Sequence, residues 1–301
     1  MLDYKLLEAM AMVVIEEGFE KAAHRLHLTQ SAISQRIKLL EEQTGQVLLI
    51  RQTPPKATAA GRRILKHYLQ VKRLEDDLLQ FTGACPEDTF ASISIGVNED
   101  SLHLWFFDAV QPFLKARPVV LDLKVDDQEQ THAFLRNGAV VGCISTQDSP
   151  MQGCRLTYLG RMRYRLMATG EFSDRWFNNG LTRTTLMRAP AVIFSRKDDL
   201  HNKMCRKLLG ESFPLDNAFY IPSAEKFFEL IANGFAYGMV PDLQGDGMLK
   251  SGKLMDLAPD TRVDVHLYWH CWNLKSPLLD ELTETLEQGA RRYLKEEQVK
   301  A

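Results

Sequence analysis

Along the first 81 residues apolar side chains recur at helical spacing, whereas the rest of the chain alternates short apolar runs with longer amphipathic ones. Leu6, Leu7, Met10, Val13 and Val14 form one stripe with a period of about 3.6, which predicts a helix from a cap at Asp3 to about Glu17, ended by Gly18. A short second helix is predicted over residues 20–26. Thr29 then opens a third that reaches about Gln43 and stops at Gly45, with Ile33, Ile37 and Leu40 as its inward stripe. Residues 47–50 read as a short strand and 51–56 as a rigid turn. Thr58 caps a long helix to about Phe81, where Ile64, Tyr68, Val71 and Leu78 align, with Leu65, Leu69 and Leu74 beside them. A lone connector does not need that much apolar surface, so pairing with a second copy is expected.

Residues 81–91 hold Gly83, Pro86 and the pair Glu87-Asp88, a composition suited to a hinge. Beyond them strands are predicted over 92–97, 119–125, 140–145, 164–168, 191–195, 218–221, 237–240 and 265–269. Helices fall between them, over 101–114, 129–137, 171–177, 183–188, 199–209, 224–233 and 277–297. This alternation predicts a parallel sheet with crossover helices. Two such units joined by crossing segments would leave a cleft beyond the carboxyl ends of the strands.

Composition changes the picture only when it is resolved by segment. The 301 residues are 45% hydrophobic and 25% charged with a net charge of −2, the profile of an ordinary globular chain with two or three domains. Between Gly18 and Arg73, however, eleven Lys or Arg face three Glu, a net of +8, so the rest of the chain carries −10. A basic head on an acidic body is what a nucleic-acid-binding unit with a separate regulatory unit would produce, although a solvated basic surface would give the same count. The five cysteines are scattered, without CxxC pairs or zinc spacing, which fits a reduced cytoplasmic setting. The N-terminus lacks a signal-peptide pattern, and no run approaches the roughly 20 apolar residues of a membrane span.

The third predicted helix turns Gln30, Ser31, Ser34, Gln35 and Lys38 away from its buried stripe, just after the cap residue Thr29. Amides and hydroxyls at the start of a helix can pair with base edges in a major groove, and Lys with guanine or phosphate. Any surface helix of a small bundle is polar outside too. The turn beyond the short strand favours DNA, because Arg51 and Lys56 flank it where a wing would hold phosphates.

These residues also carry a resemblance. Phe19 to Leu26, Leu28 to Lys38, Leu40-Glu41, Gly45, Thr58, Ala60 and Gly61 resemble the N-terminal signature of LysR-type transcriptional regulators. Within that family Leu48 to Thr58, Val97 to Leu102 and Leu267 to His270 are similar to the ArgP/LysG subgroup, which responds to lysine and arginine. The resemblance implies an α/β protein with an N-terminal all-α winged helix-turn-helix and a C-terminal two-lobed effector domain like type II periplasmic binding proteins. It also implies double-stranded promoter DNA and a small-molecule effector, lysine or arginine, as partners, a homodimer or homotetramer, RNA polymerase as a further contact, and no cofactor. The expected division is a DNA-binding unit over 1–57, a linker and hinge over 58–90, and an effector domain over 91–301. Lobe I would take about 91–160 and 268–301, and lobe II about 161–267.

Candidate effector ligands sit at strand ends: Asn98, Asp100 and Ser101, then Asp126 and Asp127, Ser145 and Thr146, Ser195, Asp198 and Asp199, Ser223, and Asp242. Helix-start hydroxyls and N–H groups suit a carboxylate, and convergent aspartates suit an ammonium or guanidinium, so a basic amino acid would use both. Each of these residue types is also an ordinary cap or turn former. Catalytic motifs are missing: there is no GxSxG elbow, P-loop, GxGxxG after a strand or HExxH, and the eight histidines show no metal spacing. An amino-acid-binding enzyme is therefore the weaker alternative, beside a DNA-binding architectural protein that needs no effector.

Overall fold

The computed structural model describes residues 2–82, 90–126 and 131–295. In the head, α1 (Tyr4–Ile15), α2 (Phe19–Arg25) and α3 (Gln30–Thr44) bury Leu6, Leu7, Met10, Val13, Ile33, Ile37 and Leu40 against one another. Asp3 caps α1 and Thr29 caps α3, while Gly45 ends α3 in the left-handed conformation. The expected stop at Gly18 is corrected: Glu17 makes the turn at φ 53, and Gly18 is the extended N-cap of α2. The strand expected over 47–50 is only β1 (Leu49–Ile50), paired antiparallel with β2 (Lys56–Ala57) to make the wing.

The linker helix α4 (Ala59–Phe81) starts under a cap from Thr58, whose Oγ1 accepts from the Gly61 N–H at 3.1 Å. Gly61 packs so tightly that a Cβ there would lie 2.1 Å from the Leu48 carbonyl oxygen, which fixes the wing against the helix. Leu65 and Tyr68 bury into the head, whereas Leu74, Leu78 and Leu79 remain exposed. The hinge residues Gly83, Pro86, Glu87 and Asp88 lie outside the described residues.

The body begins with β3 (Ala91–Asn98) and a continuous helix over 99–116, made of α5 (Glu99–Ser101), a π-helical turn (Leu102–Phe106) and α6 (Phe107–Ala116). Then come β4 (Val119–Asp126), α7 (His132–Arg136), β5 (Gly142–Ser145) and β6 (Cys154–Ala168). The first residues of the helix expected over 129–137 lie outside the described residues. The second lobe contains α8 (Gly170–Trp176), α9 (Arg183–Arg188), β7 (Ala191–Ile193), α10 (Leu200–Leu209), β8 (Ala218–Tyr220), α11 (Ala224–Ala232) and β9 (Tyr237–Pro241). It continues with α12 (Asp242–Lys250) and β10 (Met255–Asp256), neither of which the hydrophobic pattern predicts. The return strand β11 (Val263–Trp272) leads into α13 (Pro277–Ala290); the expected extension of this helix to 297 runs outside the described residues.

The expected parallel sheet is in fact mixed. Among the described residues the strand order is β4-β3-β5-β11-β6-β9-β7-β8, with β10 paired to β6. β3 is parallel to β4 and β5, and β7 to β8 and β9, which gives each lobe a parallel set. β6 and β11 run antiparallel to each other; β11 is antiparallel to the first set through β5 and β6 to the second through β9, so the two sets are welded through the long crossing strands. Their pairing slips between Leu267 and Tyr268, opposite Gly160, whose φ of +130 favours glycine. One apolar cluster runs from Trp105, Phe113 and Trp269, past Met162 and Leu166 on β6, to Phe172, Met204 and Tyr237.

His201 on α10 sits in that second lobe, buried edge-on against Tyr237, and neither ring nitrogen has a hydrogen-bond partner among the described residues. Burial pushes its pKa down from 6.5 to about 4. The unfolded chain therefore takes up a proton below about pH 6.5 that the folded chain refuses until about pH 4, and stability is lost as pH falls through that window. The loss should be on the order of 3 kcal/mol at most. Urea unfolding as a function of pH should show this slope in the wild type, and His201→Leu should remove most of it; an unchanged slope would assign it to other groups.

Candidate DNA-recognition face and effector cleft

On α3 the Thr29 cap accepts from the Ala32 N–H at 3.2 Å, and its hydroxyl lies 3.0 Å from that of Ser31. Gln30, Ser31, Gln35 and Lys38 are exposed and Ser34 is half-exposed, all turned away from Ile33, Ile37 and Leu40. Lys38 keeps only a loose, exposed pair with Glu42 at 3.7 Å, which leaves its charge available to another anion. Arg51 follows β1 and Lys56 opens β2, both exposed at the two feet of the wing turn and without an ion pair among the described residues. One anchor has no signal in the sequence pattern. Glu41 on α3 accepts from the Leu48 N–H at 2.8 Å and from Leu49 at 3.3 Å, and so ties the wing to the helix. α3 and the wing are thus tied together, with hydroxyls and amides along the centre of their shared face and cations at its rim.

In the body a cleft opens between the lobes at the ends of β3, β7 and β9. Its empty space is about 480 Å³ counting the part open to solvent, while the room for the centres of water molecules is about 30 Å³. Asn98, Glu99 and Asp100 line it from the first lobe; Phe194, Asp198, Leu200, Ala224, Phe227, Met239, Pro241 and Gln244 line it from the second. No Lys or Arg is among these residues, whereas three acids are. Tyr164 on β6 donates to Asp100 Oδ2 at 2.6 Å, and Asp198 accepts from the Phe194 and Leu200 N–H groups at 3.3 and 2.9 Å. These bonds hold two carboxylates on opposite walls. Asn98 is buried, and its Oδ1 has no hydrogen-bond partner among the described residues. An unmatched buried acceptor beside acids is arranged to receive N–H groups from a bound cation.

Of the residues expected to bind effector, the structure thus gathers Asn98, Asp100 and Asp198 at the cleft. Ser101 is fully buried, with its hydroxyl unpartnered among the described residues, but it does not line the cleft. Asp126 ends β4 beside Asn98, outside the lining. Ser145 is buried and accepts from the Gln147 N–H at 3.3 Å, Thr146 is half-buried, and neither lines the cleft. Ser195 accepts from the Lys197 N–H and lines a neighbouring hollow with Arg196 and His201. Asp199 holds Arg206 at 2.7 Å, and Asp127 lies outside the described residues. Ser223 caps α11. Asp242 requires a correction: it is buried away from the lining, and its two carboxylate oxygens are taken by Arg165 at 2.7 Å and Lys295 at 2.8 Å. A carboxylate already neutralised by two cations has little attraction left for a third. Sequence reasoning misses Glu99, Phe194, Phe227 and Gln244. Glu99 sits between two candidates and Gln244 two residues beyond another, whereas the aromatics read as core.

Two family models match the chain. Residues 4–62 match the bacterial regulatory helix-turn-helix protein model of the lysR family, and residues 88–291 match the LysR substrate binding domain. The chain belongs to the LysR family of transcriptional regulators. It is 43% identical over 291 residues to the HTH-type transcriptional regulator ArgP of Pseudomonas aeruginosa strain UCBPP-PA14, covering 95% of each chain. Among solved structures, ArgP from Mycobacterium tuberculosis is 35% identical with a TM-score of 0.87, covering 99% of this chain and all of that one. Full-length LysG from Corynebacterium glutamicum with bound effector Arg is 30% identical with a TM-score of 0.78, covering 98% of this chain and all of that one. This LysR-family chain is accordingly a helix-turn-helix DNA-binding regulator with an effector-binding domain, not an enzyme, and it falls among the ArgP and LysG regulators. Among the described residues no helix is long and apolar enough to cross a membrane, and no group of His, Cys, Asp or Glu could hold a metal.

The division of labour on the head can be measured by operator binding across a set of single-base variants. Ser34→Ala or Gln35→Ala should cost about 1–3 kcal/mol at one operator position. Arg51→Ala should instead weaken every sequence and reduce the salt slope by about 1. Equal losses on operator and random DNA for both kinds of variant would refute the groove assignment.

Proposed function

We propose that this chain senses arginine or lysine in the cytoplasm and transmits occupancy of the cleft to a promoter. The observation that carries this reading is the unmatched buried Oδ1 of Asn98, set beside Glu99, Asp100 and Asp198 in a cleft without a cation. Phe194, Phe227 and Met239 supply an apolar wall for the methylene stem of a basic side chain, and the acids receive its charged end. The effector carboxylate would meet the first-turn N–H groups of α11, which starts at Ala224 on the same rim. LysG, which carries bound arginine, supports the same class of ligand.

The proposed effector contacts are Asn98, Asp100 and Asp198, to which Glu99 and Gln244 are added; Ser101, Asp126, Ser145, Thr146, Ser195 and Ser223 lie outside the lining. The proposed DNA contacts are Thr29, Gln30, Ser31, Ser34, Gln35, Lys38, Arg51 and Lys56. The working division is a DNA-binding unit over 1–57, a linker and hinge over 58–90 and an effector domain over 91–301. Exposed Leu74, Leu78 and Leu79 on α4 support pairing of linker helices in a homodimer, from which a tetramer and contact with RNA polymerase would be built. An effector-independent architectural role is disfavoured, because it would leave the buried Asn98 Oδ1 unmatched among the described residues.

Calorimetry on the full chain tests the sensor. Arginine or lysine should bind saturably, while glutamate and leucine should not. Asn98→Leu should weaken the basic ligand on the order of tenfold, the effect of losing a hydrogen bond to a charged group. Equal heats from all four amino acids, or an unaffected Asn98→Leu, would contradict the assignment.

A further inference from the structure

The two cations on Asp242 come from different parts of the body. Arg165 lies on the crossing strand β6, whereas Lys295 belongs to the tail beyond α13. That helix packs on α6 in the first lobe, where a Cβ on Gly289 would lie 2.5 Å from the Ala109 backbone. Asp242 is the first residue of α12 in the second lobe. The tail therefore crosses from one lobe to the other.

It crosses at the place where the connecting strands bend. Arg161 and Lys295 form an isolated bridge, with the Arg161 N–H donating to the Lys295 carbonyl at 2.9 Å and the Lys295 N–H donating back at 3.2 Å. Leu294 covers Gly160, the residue opposite the slip in the β6–β11 pairing, so closely that a Cβ on Gly160 would lie 2.6 Å from the Leu294 Cβ. From this anchor the Lys295 ammonium reaches Asp242 Oδ2. Asp242 in turn follows Pro241 and precedes Gln244 by two residues, and both of those line the cleft. The N-terminal turn of α12 is thus held from two sides, by Arg165 from the hinge strand and by Lys295 from the first lobe.

We infer that Lys295 is a positioning residue for the effector cleft: it straps the first lobe to the N-terminal turn of α12 and so fixes where Pro241 and Gln244 meet the effector. The inference rests on the reading of the cleft as the effector site. A buried carboxylate is where such a strap has leverage. If the ammonium is removed, Asp242 Oδ2 is left with a net negative environment and only Arg165 to hold it, and the turn shifts toward solvent. Because Lys295 leaves α13 of the first lobe and is bridged to Arg161 on the crossing strand, a ligand that moves the start of α12 against this anchor is coupled to the bond.

The test uses the full-length chain with Lys295→Met, which keeps the stem and removes the charge, and Lys295→Arg, which restores the charge. Two readouts are taken: arginine affinity by calorimetry, and hydrogen exchange of the backbone amides of residues 242–250 without effector. Lys295→Met should weaken arginine binding on the order of fivefold and speed exchange at the start of α12, and Lys295→Arg should restore both toward the wild type. Melting in the absence of effector separates this from general destabilisation, since a merely structural lysine would lower the melting temperature and leave the arginine affinity unchanged. If wild-type and Lys295→Met chains bind arginine equally, or the exchange of α12 is unchanged, the positioning role is refuted while the cleft assignment stands. A wild-type chain that binds no basic amino acid refutes both.

Discussion

The antiparallel pairing of β6 with β11 is the constraint on which the rest of the body depends. These strands run through both lobes, and the other strands of the large sheet all connect to them, β5, β9 and β10 directly and β3, β4, β7 and β8 in succession behind β5 or β9. Because β6 and β11 run in opposite directions and each is antiparallel to the set beside it, the two parallel sets point their carboxyl ends toward each other, into the gap where Asn98, Phe194 and Pro241 stand. The bend at Gly160 and the slip beside Leu267 interrupt the ladder at one level, so that bending is concentrated there. Ion pairs cluster along the same strands: Asp264 is clasped by Arg161 and Arg163, which outweigh its burial and hold its pKa below the usual value.

Function divides along the same physical lines. The head is a small apolar core whose outer side carries neutral hydrogen-bonding groups between cations, suited to reading bases while neutralising phosphates. The cleft has the opposite character, three acids and an unmatched amide oxygen against aromatic and thioether walls. The charges that cancel in the net −2 are opposed by segment, +8 between Gly18 and Arg73 and −10 over the rest of the chain, and three of the acids line the cleft. Between them α4 packs on the head through Leu65 and Tyr68, while Lys66 reaches the Gln152 carbonyl of the body at 3.3 Å, so that the linker touches both units.

What the sequence makes legible depends on how local the cause is. Thr29 and Gly45 bracket α3 through bonds within a few residues, and both are readable as a cap and a stop. The wing is readable from Arg51 to Lys56, but its tie to α3 through Glu41 spans seven residues and carries no pattern. The first ten residues of β6, Cys154 to Arg163, are hidden because the alternation is interrupted at Leu159-Gly160, where the pairing with β11 slips, and because Arg155, Arg161 and Arg163 read as solvated until Asp264 and Asp280, more than a hundred residues away, are placed beside them. α12 is hidden because Gly245 and Gly247 lower its helical propensity. Asp242 reads as a cleft residue because Pro241-Asp242 ends a strand, and Lys295 and Arg165, which claim it, are remote in sequence. Asn98 and Asp100 are legible because the end of β3 is itself the cleft wall.

In a regulator of this kind, occupancy of the acidic cleft and binding of the basic head to DNA would be energetically linked through one chain. Calorimetric arginine affinity, measured on the full-length protein free and bound to operator duplex, tests it most directly. The account predicts that operator DNA changes the arginine affinity by the same factor by which arginine changes the operator affinity. Equal arginine affinity in the free and DNA-bound protein would contradict it.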